Sequence, residues 1–140
     1  MLVRQILAET EAFPTIVTDA TVCSAAEVMR EHDVRAVPVV EGEKLIGIVT
    51  DWDIVDAFAA EGDTLAERPV SAIMTSEGLH TIGVDESAAD ATAKLQEHRV
   101  HHLPVLDGDR FVGMLCLGLE WTEEGMLTPP VRPVLTARRP

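Results

Sequence analysis

Apolar and polar positions follow the same order in two blocks of this chain. Residues 37–40 and 45–49 are short apolar runs separated by the polar tetrapeptide 41–44, which predicts two strands joined by a tight turn. Residues 103–106 and 111–115 repeat the arrangement around Asp107-Gly108, where the first hairpin has Glu41-Gly42. The chain therefore contains two predicted β-hairpins of similar sequence.

A helix is predicted before each hairpin, and a short apolar strand before each helix. Ser24 and Glu27 have the spacing of a capping box, and Ser87 and Asp90 form a weaker version of it. A hydroxyl residue followed three positions later by an acidic one is typical of a helix start. Apolar residues four positions apart follow both of these signals, which predicts one buried face for each helix.

A second helix is predicted after the first hairpin, with Ile54, Val55 and Phe58 as its inner face. Each block then reads β-α-β-β-α. One such unit cannot cover both faces of its small sheet. Two units packed sheet to sheet with pseudo-twofold symmetry would do so. We therefore predict an α+β (mixed α/β) fold with a ligand groove between the units.

The two blocks are copies of one sequence. With a shift of 66 residues, segment 31–50 falls on 97–116 without a gap, and seven of the 20 aligned pairs are identical. We predict a first repeat at 1–62 and a second repeat at 63–126. A tail rich in proline and arginine follows at 127–140; we expect it to be extended and at most partly ordered.

The copies differ where the first hairpin meets its second helix. Thr50 and Asp53 of the first copy correspond to Cys116 and Leu119 of the second. A hydroxyl and a carboxylate three residues apart face the same side of a helix start. An ionised carboxylate accepts two hydrogen bonds from vicinal hydroxyls such as those of ribose, and free N–H groups at a helix start attract phosphate. The same pair is also a capping arrangement that needs no ligand.

The duplication, the order of elements and the segment Gly47-Ile-Val-Thr50-Asp-Trp-Asp53 resemble the CBS domain family, whose tandem copies pair into a Bateman module. The resemblance covers about residues 1–122. It implies a stand-alone regulatory and signal-transduction module. Because the sequence offers no supported Cys–His or Ser–His pairing, no phosphate loop and no credible metal set, we do not expect an enzyme. Such a module senses an adenine nucleotide or adenosyl ligand in the cleft between its repeats. The implied ligand is AMP, ADP, ATP or S-adenosylmethionine, and no cofactor is required.

The resemblance also implies the residues of the nucleotide-binding pocket. In similar modules the Asp holds ribose, the Thr lies near phosphate, and the hydrophobic residue after Gly packs on adenine. The positions carried over are Ile48, Thr50 and Asp53, completed by Arg35, Thr75, His80, Val100, His101 and His102. Arg35 and His101 are expected near phosphate, although both also fit as solvated residues at strand starts. Because the second copy lacks both polar anchors, we expect one functional site per chain.

Charge and cysteine usage narrow the choice of partners and compartment. Eleven Lys and Arg against 24 Asp and Glu leave a net charge of −13, which argues against nucleic acid and anionic membranes as partners. The sequence has no apolar run long enough to cross a bilayer, and its start does not resemble a signal peptide. Cys23 and Cys116 do not suggest a disulfide framework. We expect a cytoplasmic protein.

Other hypotheses stay open beside the nucleotide sensor. His98, His101 and His102 invite a zinc site, but their spacing does not place them on one helical face, so we predict no metal site. The resemblance implies a homodimer, for which the stretch 54–58 offers an apolar stripe, and an effector protein of unknown identity. The main alternative function is a dimerisation or docking module that binds no nucleotide.

Overall fold

A computed structural model describes the backbone of residues 1–8, 13–121 and 131–138, and the side chains of residues 1–8 and 13–116. Its helices are α1 (Val3–Leu7), α2 (Val22–His32), α3 (Asp51–Glu61) and α4 (Ala88–Glu97), with short 3-10 helices at Gly62–Glu67 and Val70–Ala72. Its strands are β1 (Ile16–Val17), β2 (Ala36–Glu41), β3 (Lys44–Thr50), β4 (Ile82–Gly83), β5 (His102–Asp107), β6 (Arg110–Trp121) and β7 (Val131–Arg138). The predicted mixed α/β class is confirmed.

The chain forms two compact units. The first-repeat unit comprises Pro14–Leu79 with Asp109–Phe111. The second-repeat unit comprises the described residues of Met1–Phe13, His80–Gly108 and Val112–Pro140. These units differ from the predicted sequence repeats because the N-terminal segment belongs to the unit of the second repeat.

The first-repeat unit is built on the predicted hairpin. β2 and β3 pair antiparallel with Val37 opposite Val49, and β1 pairs parallel to β2 with Ile16 opposite Val39. Gly42 turns the hairpin with a φ of 60°, a left-handed conformation that favours glycine. The buried residues that share one core are Ile16, Ala25, Met29, Val37, Val39, Val49 and Val70.

The second-repeat unit repeats this plan. β4 pairs parallel to β5 with Ile82 opposite Val105, β5 lies between β4 and β6 in the hydrogen-bonded order, and β7 pairs with β6. Its core contains the buried residues Val3, Leu7, Ile82, Val84, Ala91, Leu95, Leu103, Val105 and Leu115. Removing such aliphatic side chains from water is the main stabilising contribution to each unit.

The segment that precedes each repeat in sequence packs in the unit of the other repeat. The amide of Val3 donates to the carbonyl of Glu86 at 2.9 Å, which places the N-terminal segment on the second repeat. The amide of Val70, its counterpart in the duplication, donates to Ala20 at 2.8 Å in the first-repeat unit. Val3 and Val70 are both fully buried. Each core is therefore completed by the segment that precedes the other repeat in sequence.

The start of α2 differs from the prediction. The N-cap is Thr21, whose hydroxyl accepts the amide of Ser24 at 3.0 Å, so the proposed Ser24–Glu27 capping box is wrong. Ser87 and Asp90 do form a capping box at the start of α4, as predicted. Thr21 is the residue that the 66-residue shift aligns with Ser87, so both helices begin at the same position of the repeat.

Within the described residues, the second hairpin is not followed by the helix that was expected there. β6 instead continues through Cys116 to Trp121 and pairs antiparallel with β7, with Cys116 opposite Thr136 and Leu119 opposite Pro133. That expectation is wrong because a distant segment supplies a strand partner. The tail is extended over residues 131–138, while 127–130 and 139–140 lie outside the described residues.

Helix α3 turns a different face inward than predicted. Ile54 is half-buried against the core of the first-repeat unit. Val55 and Phe58 are each 55% exposed, and Trp52 is 68% exposed. The prediction of an inner face is therefore confirmed for Ile54 and wrong for Val55 and Phe58. The exposed residues form an apolar stripe along the outside of the helix.

Candidate ligand site

Thr50 and Asp53, which the second copy replaces with Cys116 and Leu119, lie at the junction of β3 and α3. Thr50 is the N-cap of α3, and its hydroxyl accepts the amide of Asp53 at 3.2 Å. In return, Asp53 Oδ2 accepts the amide of Thr50 at 2.9 Å. This reciprocal capping box stabilises the helix start by about 1 kcal/mol. The capping interpretation of the pair is thus correct in the structure.

The capping box uses only part of the hydrogen-bonding capacity of Asp53. Within the described part of the chain, Asp53 Oδ1 has no hydrogen bond, and the carboxylate pairs with no Lys or Arg. The side chain is half-buried at the helix start. A half-buried carboxylate with one oxygen held by the backbone presents its second oxygen in a defined direction. It can therefore accept a hydroxyl group of a ligand.

The first amides of α3 are already hydrogen-bonded. The amide of Asp51 donates to the carbonyl of Arg35 at 2.9 Å, and that of Trp52 donates to Asp51 Oδ1 at 2.8 Å. The amide of Asp53 donates to Thr50. The expectation of free N–H groups for a phosphate at this helix start is therefore wrong. Only side chains near the junction remain to contact an anion.

Arg35 is brought to the junction by its backbone. It immediately precedes β2, where Ala36 lies opposite Thr50, and its carbonyl accepts the first amide of α3. Its guanidinium group is exposed and forms no salt bridge within the described residues. The residue whose backbone carbonyl accepts the first amide of α3 thus carries a permanently charged side chain.

Ile48 and Thr75 are joined by backbone hydrogen bonds. The amide of each donates to the carbonyl of the other, both at 2.9 Å. A Cβ atom on Gly47 would lie 2.7 Å from Met74 Sδ and 2.9 Å from the carbonyl oxygen of Thr75, so the close approach requires glycine. The Ile48 side chain is buried and that of Thr75 is exposed. Sequence reasoning missed Met74, although the glycine repeated at position 113 was a signal for a close contact.

The other predicted residues lie in the second-repeat unit. The ring of His80 stacks on that of His98, with centroids 3.7 Å apart and an interplanar angle of 13°. Val100 is half-buried against the core, His101 is exposed, and His102 begins β5. The nine predicted site residues therefore form two groups, one in each unit, and the shared pocket remains a prediction.

Two kinds of feature are absent from the described residues: a cluster of metal ligands and a membrane-spanning helix. Residues 1–8 and 13–116, whose side chains the structure describes, contain no group of three or more His, Cys, Asp or Glu that is arranged to hold a metal ion. Within the same residues, every helix is too short or too polar to cross a membrane.

The sequence profile of the CBS domain matches this chain twice, at residues 3–60 and 70–118. CBS domain-containing protein YhcV of Bacillus subtilis is 36% identical over 104 residues, which span 74% of this chain and 73% of that protein. The structure is also similar to the CBS domain pair of protein MJ0100, which was solved in complex with methylthioadenosine and S-adenosylmethionine. The two superpose with a TM-score of 0.68 at 28% sequence identity, and the superposition covers 83% of this chain and 89% of the MJ0100 chain. A homoserine O-acetyltransferase of Methanococcus vannielii is 33% identical over 108 residues, but these make up only 22% of that protein.

Proposed function

Since this chain belongs to the CBS domain family and contains a pair of CBS domains, we propose that it is a regulatory module that senses an adenine nucleotide or adenosyl compound at one site per chain. The observation that carries the proposal is the geometry of Asp53. One carboxylate oxygen is held in the capping box, and the other has no partner within the described residues. MJ0100, which binds two adenosyl ligands, supports the ligand class.

In the proposed complex the residues of the first-repeat unit divide the ligand between them. Asp53 Oδ1 accepts the ribose hydroxyl groups. The hydroxyl of Thr50, which accepts the amide of Asp53, keeps its own hydrogen to donate to a phosphate oxygen. Arg35 supplies the positive charge that the occupied helix amides do not.

The contribution of His80, Val100, His101 and His102 to the site stays a prediction from the family resemblance. AMP, ADP, ATP and S-adenosylmethionine all contain the adenosine that Asp53 and Ile48 would contact. The match to an acetyltransferase covers 22% of that enzyme, so acetyl transfer is not part of the proposal. Binding would shift the balance between conformations and be communicated to an effector protein.

The test compares two capping-box carboxylates by titration calorimetry against AMP, ATP and S-adenosylmethionine. Asp53→Asn removes the charge at the proposed site, while Asp90→Asn makes the same change in the capping box of α4. We expect Asp53→Asn to weaken binding by about tenfold to a hundredfold, the range for hydrogen bonds to a charged group. Asp90→Asn should bind as the wild type does. Equal affinities for all three proteins would refute the site.

The apolar stripe of α3 supports a second part of the proposal, a homodimer. Trp52, Val55 and Phe58 are all more than half exposed on this helix, and large apolar side chains grouped on one face are typical of protein contacts. We propose that the stripe contacts a second copy of the chain. If no nucleotide binds, this contact leaves the dimerisation module as the remaining function.

Sedimentation equilibrium tests the dimer. Phe58→Asp should give a monomer at concentrations where the wild type is a dimer, because it places a charge in the contact. Val17→Asp is the matched control, since Val17 is 52% exposed on β1 and lies outside the stripe. A Phe58→Asp protein that dimerises as the wild type does would show that α3 is not the interface.

A further inference from the structure

The side chain of Met74 packs against the backbone of β3. A Cβ atom on Gly47 would lie 2.7 Å from Met74 Sδ and 2.9 Å from the carbonyl oxygen of Thr75, so the sulfur and this oxygen adjoin the same point beside the glycine. The same carbonyl accepts the amide of Ile48 at 2.9 Å, and the Thr75 amide donates to Ile48 in return. The thioether sulfur therefore lies next to the two hydrogen bonds that join residues 73–75 to β3.

Met74 differs from the other described methionines in its surroundings. It is half-buried and packs against the core of the first-repeat unit. Met29 and Met114 are buried, so their sulfur atoms are shielded from solvent. Met1 is exposed, so a change at its sulfur disturbs little packing, and Met126 lies outside the described residues. Among the described side chains, Met74 is thus the methionine that is both open to solvent and packed against backbone.

A peroxide oxidises a thioether in one two-electron step. The sulfur takes one oxygen atom from hydrogen peroxide: an S–O bond forms, the O–O bond breaks, and the second oxygen leaves as water with both protons of the peroxide. The product, methionine sulfoxide, is polar and chiral, and reductases specific for each epimer return it to the thioether. The modification is therefore a reversible change from an apolar to a polar side chain.

The position of Met74 makes this change unfavourable for the folded state. A sulfoxide oxygen directed at β3 meets the carbonyl oxygen of Thr75, and it competes with that carbonyl for the amide of Ile48. An oxygen directed at the core places a polar group among apolar side chains without a partner. The counterpart of Met74 in the duplication is Leu7, which is buried and contains no sulfur. The chemistry at this position therefore belongs to the first-repeat unit.

We infer that Met74 is an oxidative modification site, at which an oxidant of the peroxide class forms methionine sulfoxide and weakens the hydrogen bonds between residues 73–75 and β3. The residues involved all belong to the first-repeat unit. The inference goes beyond the proposed nucleotide sensing and needs no bound ligand. Because Ile48 is also a proposed site residue, the same oxidation would alter a ligand site on β3.

The site is tested by treating the folded full chain with hydrogen peroxide and following each methionine by mass spectrometry after digestion. We expect Met1 and Met74 to gain an oxygen atom well before Met29 and Met114 do. As Met74 is oxidised, the unfolding equilibrium constant measured in urea should rise by about tenfold to a hundredfold, the range for an unsatisfied buried polar group. Oxidation of Met74 no faster than that of Met29, or without any change in this constant, would overturn the inference.

Amide hydrogen exchange measured by NMR locates the effect. The amides of Ile48 and Thr75 donate in the contact that the sulfoxide disrupts, so their exchange should accelerate by about the same tenfold to hundredfold factor. Unchanged exchange at both amides in protein whose Met74 is fully oxidised would also overturn the inference.

Met74→Leu is the matched control, because it gives the first repeat the residue of the second. It retains Met1 and the exposed Cys23, so it reports any effect of oxidation elsewhere in the chain. Its unfolding constant should be the same before and after peroxide, and a rise equal to that of the wild type would overturn the inference.

Reduction of the oxidised wild type gives a test that needs no variant, and it serves alone if Met74→Leu does not fold. Methionine sulfoxide reductases for both epimers should return Met74 to the thioether and restore the original unfolding constant. A loss of stability that persists after mass spectrometry shows Met74 reduced would overturn the assignment.

Discussion

The two repeats end differently although they begin alike. In the first, β3 stops at Thr50 and α3 starts there, with Thr50 and Asp53 capping each other. In the second, Cys116 and Leu119 occupy the matching positions and β6 runs on to Trp121 beside β7. A cysteine sulfur is only a weak acceptor for the amides that a helix start exposes, and a leucine side chain has no acceptor. Where the cap is missing and a strand partner is present, the chain remains extended.

This difference links helix formation to ligand binding in one pair of residues. Thr50 and Asp53 start α3, and the same carboxylate is the proposed ribose acceptor. Without the pair, the described part of the second repeat continues as a strand, and it lacks the proposed anchors of a second site. The asymmetry of the proposed function, with one site in a duplicated chain, therefore has the same origin as the asymmetry of the fold.

Among the changes at this junction, Gly47→Ala should cause the largest loss in the free energy of unfolding. The added Cβ would lie 2.7 Å from Met74 Sδ and 2.9 Å from a backbone oxygen, so β3 and the 73–75 segment must move apart. Overpacking of this kind costs about 1–3 kcal/mol. Gly83→Ala is the matched control, because its nearest neighbour is a side-chain oxygen at 3.5 Å. Urea denaturation should show the loss for Gly47→Ala alone, and equal losses would contradict the close approach.

A smaller effect is expected when the first junction is given the residue of the second. Thr50→Cys removes the hydroxyl that accepts the amide of Asp53, and loss of an N-cap costs about 1 kcal/mol. The unfolding free energy should fall by this amount while circular dichroism retains most of the helix signal. Unchanged stability would show that the cap contributes little and that packing holds α3 in place.

The smallest effect is expected from the reverse exchange. Cys116→Thr with Leu119→Asp writes the capping residues into the second repeat, but β6 is paired with β7 at both positions. Strand pairing should outweigh a cap of about 1 kcal/mol, so calorimetry should still find one site per chain. A second site in this variant would mean that the two residues alone determine both the helix and the ligand.

The sequence was most informative where structure is local. Both hairpins lie where the apolar runs predicted them, because short apolar strands and an intervening Gly turn depend on neighbouring residues. The start of α2 was misplaced by three residues, since two hydroxyl residues compete for the cap and only the backbone geometry decides between them. The length of β6 was missed because its partner β7 lies beyond an intervening segment of the chain.

By itself, the sequence determined the duplication, the mixed α/β class, the family, and the pairing of a hydroxyl with a carboxylate at position 50 and position 53. These follow from repeated patterns and short-range spacing. Only the tertiary structure decided that the segments around Val3 and Val70 complete each other's repeats, and that the first amides of α3 are already occupied. Such facts depend on contacts between residues far apart in the chain, where many partners satisfy the same local pattern and only one set completes both cores.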